Sequence, residues 1–178
     1  LSLLTTDAVA FADALPGLGR LLALDIGTKT IGLATASADW RFATARETLK
    51  RTKPSADVEA LKALAVKEEI RGLVIGLPLS MDGRDSERTQ SVRAQARNLS
   101  KGLGLPILLW DERWSTAAVE RALIAADVSR ARRAERVDAL AAAHILEGAL
   151  ARLAALPESV RLAGLQETAR LAGRGDGA

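Results

Sequence analysis

Residues 21–34 read LLALDIGTKTIGLA. Leu21 to Leu24 and Ile26 make an apolar run broken by one carboxylate, Asp25. Gly27 follows at once, Gly32 comes soon after, and a second β-rich run, TIGLATA, completes the stretch. The pattern predicts two strands joined by a tight turn, with Asp25 at the exit of the first. A run this apolar suits a strand covered on both faces. A carboxylate at its end needs compensation, and a metal ion is the usual one. The alternative is that Asp25 caps the turn through its own backbone.

Working outward, 178 residues most simply make one domain, and 48% hydrophobic content allows a substantial core. There is no Cys and a single His, His144, so thiolate chemistry is excluded and a Ser–His–Asp triad or His-rich metal site is disfavoured. Any metal falls to carboxylates, which favours magnesium or manganese. No apolar run has bilayer length, and residues 1–19 lack the positive charge that opens a secretory signal. A soluble cytoplasmic protein is therefore expected. The net charge is +3; the first 19 residues hold Asp7 and Asp13 and no basic group, so the rest is more basic still. That suits a polyanionic partner.

Residues 1–19 are expected as an appended arm, set off by Pro16, Gly17 and Gly19. Residues 43–51 alternate weakly and predict a basic edge strand. Ser55 is the expected cap of a helix that buries Val58, Leu61, Leu64 and Ala65. Residues 72–77, GLVIGL, form a strand ended by Pro78, and Gly83 makes a turn. Asp85 or Ser86 then caps a helix with Val92, Ala96, Leu99 and Leu103 inward. Ile107 to Trp110 is the next strand, followed by Asp111–Glu112–Arg113 and a helix from Ser115 or Thr116. A basic connection spans 129–136, the last helix runs from about Ala134 to Ala154, and residues 157–178 are expected to fray. Strands separated by helices are parallel, and the short early connections make hairpins. The fold class is α/β: a five-stranded mixed sheet with helices on both faces.

Three apolar strands end in unusual residues: Asp25–Ile–Gly, Gly76–Leu–Pro78 and Asp111–Glu112–Arg113. Sites in open α/β sheets form at the carboxyl ends of strands, so these ends should meet. At about 100° per residue, Asp138 falls inside the apolar arc of the last helix, while His144 and Glu147 fall on the wet side. A carboxylate on a buried face needs a partner, either an arginine such as Arg113 or a metal shared with Asp25. Asp25, Asp111 or Glu112, and Asp138 would then form a carboxylate cluster. Two magnesium or manganese ions about 4 Å apart, gripping a scissile phosphate, are the known use of such a cluster. Arg130, Arg132, Arg133 and Arg136 precede Asp138, placed either to hold a nucleic-acid backbone or as plain helix-surface charge. Lys29, in the turn, and Arg113 are further candidates for nucleic-acid contact. Trp40 and Trp114, if exposed, are available for a dimer contact, and Trp114 for stacking on a base; the alternative is that both are simply packed.

DIGTKTIG, GLPLSMDG, DERWST and VDALAAAHIL, in this order and spacing, resemble the YqgF/RuvX family of Holliday-junction-resolvase-like, pre-16S rRNA nucleases. The likeness spans about residues 20–150. It implies a ribonuclease H-like fold, a domain over 20–155 between an arm (1–19) and a tail (156–178), and metal-dependent cleavage of nucleic acid in bacterial cytoplasm. It implies ribosomal RNA precursor as substrate, with branched DNA as a second, and a monomer or homodimer. The family's acidic positions fall on Asp25, Asp111–Glu112 and Asp138. Gly27, Gly32, Gly76, Pro78, Gly83, Arg113 and Thr116 match shaping or substrate-side positions. One departure is Thr30, where the family often has Arg, which removes one phosphate contact. Two other readings compete. DIGTKTIG is similar to the phosphate hairpin of actin-like and sugar kinases, but those need a duplicated domain that this chain is too short to hold. A non-catalytic ribosome- or RNA-binding module would differ from a nuclease only in turnover.

Overall fold

A computed structural model describes residues 3–17, 19–111 and 130–157, with backbone alone over 130–136. The hairpin at 21–34 lies inside the sheet. β2 (Arg20–Ile26) and β3 (Thr30–Ala36) pair antiparallel, with Asp25 opposite Gly32. On its other side β2 runs parallel to β6 (Ile70–Leu77), which runs parallel to β7 (Ile107–Asp111).

The expected five strands become seven. The segment 43–51 splits into β4 (Ala43–Ala45) and β5 (Leu49–Lys50), both antiparallel to β3. The seventh is β1 (Leu4–Thr5), which pairs parallel with β7 and gives the order β1-β7-β6-β2-β3-β4, with β5 also on β3. Residues read as an arm are thus part of the packed body. Asp7 caps α1 (Ala8–Ala14), its carboxylate accepting from the Val9 amide, and Phe11 of this helix is fully buried. Gly72 makes the docking close: a Cβ there would come within 2.6 Å of Leu15 and 2.9 Å of Phe11. The apolar residues at 8, 11, 12 and 15 are helix-spaced, and that period marks the segment as a packed helix.

The unbroken apolar look of β2 conceals strict alternation. Leu21 and Ala23 join Val74, Leu108, α1 and α4 (Arg130–Ala154) in one core. Leu22, Leu24 and Ile26 join Leu73, Ile75, Ile107 and Leu109 in the other, under α2 (Pro54–Lys67) and α3 (Glu87–Leu103). Helices therefore cover both faces, as a largely parallel sheet requires. The apolar arc of the last helix is buried as its period predicts, from Ala141 and Ala142 to Leu153.

Local signals explain the helix ends. Ser86 caps α3 in a reciprocal capping box with Thr89, and Gly104 closes it in the left-handed conformation, φ 69°. Ser55 is not a cap: Lys53 is the cap residue of α2 and Pro54 takes the first turn, where its missing N–H costs nothing. Helix α4 starts at Arg130, so most of the basic run expected as a connection is helical backbone. Trp40 is not free on the surface. It packs against the core of α1 and α4, and its indole N–H donates to the Gly19 carbonyl at 2.7 Å. The helix expected from Ser115 or Thr116, Trp114 and the tail from 158 lie outside the described residues.

Truncating Phe11 to Ala should destabilise the protein by about 3–5 kcal/mol, the range for emptying a buried aromatic site. Urea unfolding measures this, and a value near zero would mean α1 adds nothing to the core.

Candidate active site

The site is built on the α4 face of the sheet. Asp25 closes β2 with only 6% of its surface exposed. Directly opposite residues of an antiparallel pair point to the same side. Gly32, the partner of Asp25, therefore presents no side chain where Asp25 presents its carboxylate. Helix α4 fills that gap: a Cβ on Gly32 would lie 2.0 Å from the Asp138 carbonyl oxygen and 3.1 Å from the Ala139 nitrogen. The missing side chain lets the α4 backbone rest on β3 beside Asp25. Asp25 and the α4 backbone at Asp138, 113 positions apart in sequence, thus share one face of the sheet.

Thr30 fixes the second carboxylate. Its hydroxyl donates to Asp138 Oδ2 at 2.5 Å. This residue was read as a lost phosphate contact, but here it is the hydrogen-bond donor that aims Asp138. Alternation puts Thr30 and Gly32 on one face of β3 with Ala34 and Ala36, but the partner Asp138 is 108 residues away and no local signal shows it. The row continues across the sheet. Gly76, one residue past the paired Leu24 and Ile75, adds another position without a side chain beside Asp25. Trp110 stands next to it, opposite Gly76 in β7. A Cβ on Gly148 of α4 would come 3.0 Å from the Trp110 ring, so the indole is covered by helix backbone.

Asp111 does not join Asp25 and Asp138. It pairs with Leu77, and the alternation of β7 puts it on the opposite side of the strand from Trp110. There it lines a cleft of about 840 Å³ with Asp7, Trp110, Arg93 and Arg152. Among the described residues no group of three Asp, Glu, His or Cys side chains is arranged to hold a metal. Glu112 and Arg113 lie outside the described residues. Arg130, Arg132, Arg133 and Arg136 occupy the first two turns of α4, with backbone alone described. Lys29 is exposed at the tip of the β2–β3 turn. His144 sits 3.1 Å from Glu147 on the outer side of α4, away from the carboxylates.

The donor set suits a hard cation. Asp25 and Asp138 supply oxygen, and a thioether or thiolate competitor is absent because the chain has no Cys and its one Met, Met81, is almost fully exposed. The positions beside Asp25 in the neighbouring strands, Gly32 and Gly76, carry no side chain.

The seven-stranded sheet of the described residues, between two helical layers, is a fold of the resolvase type. The structure of Thermus thermophilus RuvC in complex with a Holliday junction substrate matches with a TM-score of 0.51, over 77% of this chain and 97% of that one, at 14% identity. That likeness is one of fold. The sequence goes further: residues 19–152 match the family model "RuvX: Holliday junction resolvase", and the chain belongs to that family. A "Putative pre-16S rRNA nuclease" of Sphingopyxis alaskensis is 64% identical over 148 residues, covering 83% of this chain and 97% of the relative. A protein of the same name from Novosphingobium aromaticivorans is 55% identical over 152 residues, 85% of this chain and 97% of the relative. No helix among the described residues is long and apolar enough to cross a membrane.

Gly32→Ala should cost about 3 kcal/mol or more, because the new methyl meets backbone, which cannot swing aside as a side chain could. Thermal unfolding would show it, and an unchanged midpoint would mean that α4 does not rest on β3 at this point.

Proposed function

We propose that this nuclease hydrolyses phosphodiester bonds with divalent metal, acting on the precursor of small-subunit ribosomal RNA in the bacterial cytoplasm. The observation carrying this is that Asp25 and the α4 backbone at Asp138 share one face of the sheet at Gly32, in a chain of the RuvX family. The names of its relatives support RNA as the substrate. Branched DNA is the second substrate, since the family is described as a Holliday junction resolvase.

In this reading Asp25 and Asp138 hold magnesium or manganese, with a further carboxylate from Asp111–Glu112. The alternation that sets Asp111 on the opposite side of β7 from Trp110 favours Glu112 for that part. Such ions, when bound, supply an activated water and charge for the leaving oxygen. The protein's part is positional. Thr30 orients Asp138 by donating its hydroxyl hydrogen to one of the two carboxylate oxygens. The Gly32 and Gly76 positions keep the row clear of side chains beside Asp25. Lys29, standing proud of the turn, meets a phosphate near the cleaved bond. Arg130, Arg132, Arg133 and Arg136, with Arg113, hold flanking backbone. Symmetric cutting of a four-way junction would require a two-fold dimer.

Asp25→Asn and Asp138→Asn should each abolish manganese-stimulated cleavage of labelled precursor RNA while RNA binding remains. Binding by the wild type with no metal-stimulated cleavage would instead mark a non-catalytic RNA-binding module. Thr30→Val should lower divalent affinity by about 10- to 100-fold, the usual cost of losing a group that orients a ligand, with Thr30→Ser close to wild type. Calorimetry with manganese reads this directly. Lys29→Ala should reduce the slope of log binding constant against log salt by about one unit or slightly less.

A further inference from the structure

The turn between β2 and β3 is held from outside by a charged strut that the proposed chemistry does not use. Residues 49–52 run antiparallel to 29–31: Leu49 pairs with Ile31, Lys50 with Thr30, and the Arg51 amide donates to the Lys29 carbonyl at 2.9 Å. The Arg51 side chain then turns back along the hairpin, and its Nη1 donates to the Gly27 carbonyl at 2.6 Å. Behind it stands Asp57, in the first turn of α2, with Oδ2 3.6 Å from Arg51 Nε. The other Asp57 oxygen accepts from the Thr52 amide at 3.0 Å and from its hydroxyl at 3.3 Å. Both charged side chains are largely buried, with 17% of Arg51 and 8% of Asp57 exposed.

Burying an ion pair is an inefficient way to gain stability, since desolvation offsets most of the attraction. What this pair does supply is a fixed location. Gly27 lies two residues after Asp25 and three before Thr30, and its amide donates to the Thr30 carbonyl at 2.9 Å. A shift at Gly27 therefore moves both ends of the row, the Asp25 carboxylate and the hydroxyl that aims Asp138, together with Lys29 at the tip. We propose that Arg51 and Asp57 are positioning residues of this nuclease, bracing the β2–β3 turn so that Asp25, Thr30 and Lys29 keep their places when substrate is held. The inference rests on the nuclease reading above.

The test compares Arg51→Met, Arg51→Lys and Asp57→Asn with wild type and Asp25→Asn. Arg51→Met should lower kcat on precursor RNA by about 10- to 100-fold, the cost of a small misplacement, with KM little changed. Manganese binding should weaken in parallel. Amide exchange should quicken at Gly27 and Arg51 while the central strands stay protected. Arg51→Lys, which can reach the carbonyl without engaging Asp57, should fall between, and Asp57→Asn should resemble it. A lower melting temperature with wild-type kcat, and exchange raised evenly over the whole chain, would overturn the proposal and leave a stabilising pair only. If Arg51→Met does not fold, the two milder variants decide between the same outcomes. Should Asp25→Asn remain active, the nuclease site itself is misassigned, whereas the exchange pattern still reports the brace on its own.

Discussion

The molecule depends on one close approach of main chain to main chain. The α4 backbone at Asp138 lies against β3 at Gly32, nearer than any side chain would permit. That contact does two jobs at once. It seats a long apolar helix on the sheet, burying residues from Ala141 to Leu153, and it sets one acidic residue of the helix beside another from the strand. Packing and chemistry share the same point, so the position tolerates only glycine for structural reasons as well as for any catalytic one.

The sheet divides the protein into two cores that meet only through backbone. β2 feeds both, its odd-numbered side chains to α1 and α4 and its even-numbered ones to α2 and α3. Asp25 is the last odd position, so the strand that anchors both cores also delivers the carboxylate to the α4 side. Ile26, next along, is buried in the opposite core and Gly27 begins the turn. The acidic group thus stands at the border between rigid sheet and hairpin loop, where a site gains both precision and access.

Much of this was legible from residues alone. The strand ends, the two helical layers, the α3 cap at Ser86 and the inward placement of Asp138 all follow from periodicity and turn chemistry, because each is written within one segment. What was not legible depends on partners distant in sequence. β1 is two residues long, too short for any periodic signal, and exists because β7 offers a free edge. Residues 43–51 look like one strand but break at Arg46–Thr48. There the Arg46 amide still donates to the Leu33 carbonyl at 2.7 Å while its side chain pairs with Glu68, which Arg20 also grips. Thr30 seemed a loss when judged against an arginine, since nothing local shows that Asp138 waits opposite. The direction of Asp111 follows from counting along β7, but only once the register with Leu77 is known.

The lateral order of the strands bears on how the chain is made. Leu4 is translated long before its parallel neighbour Ile107, and Phe11 must find Gly72 and the helix at 130–154. Loop closure over such spans is slow compared with pairing the central hairpin. The segment around α1 therefore emerges from the ribosome before the residues that shelter it, and its apolar side chains stay uncovered until 130–154 has been made.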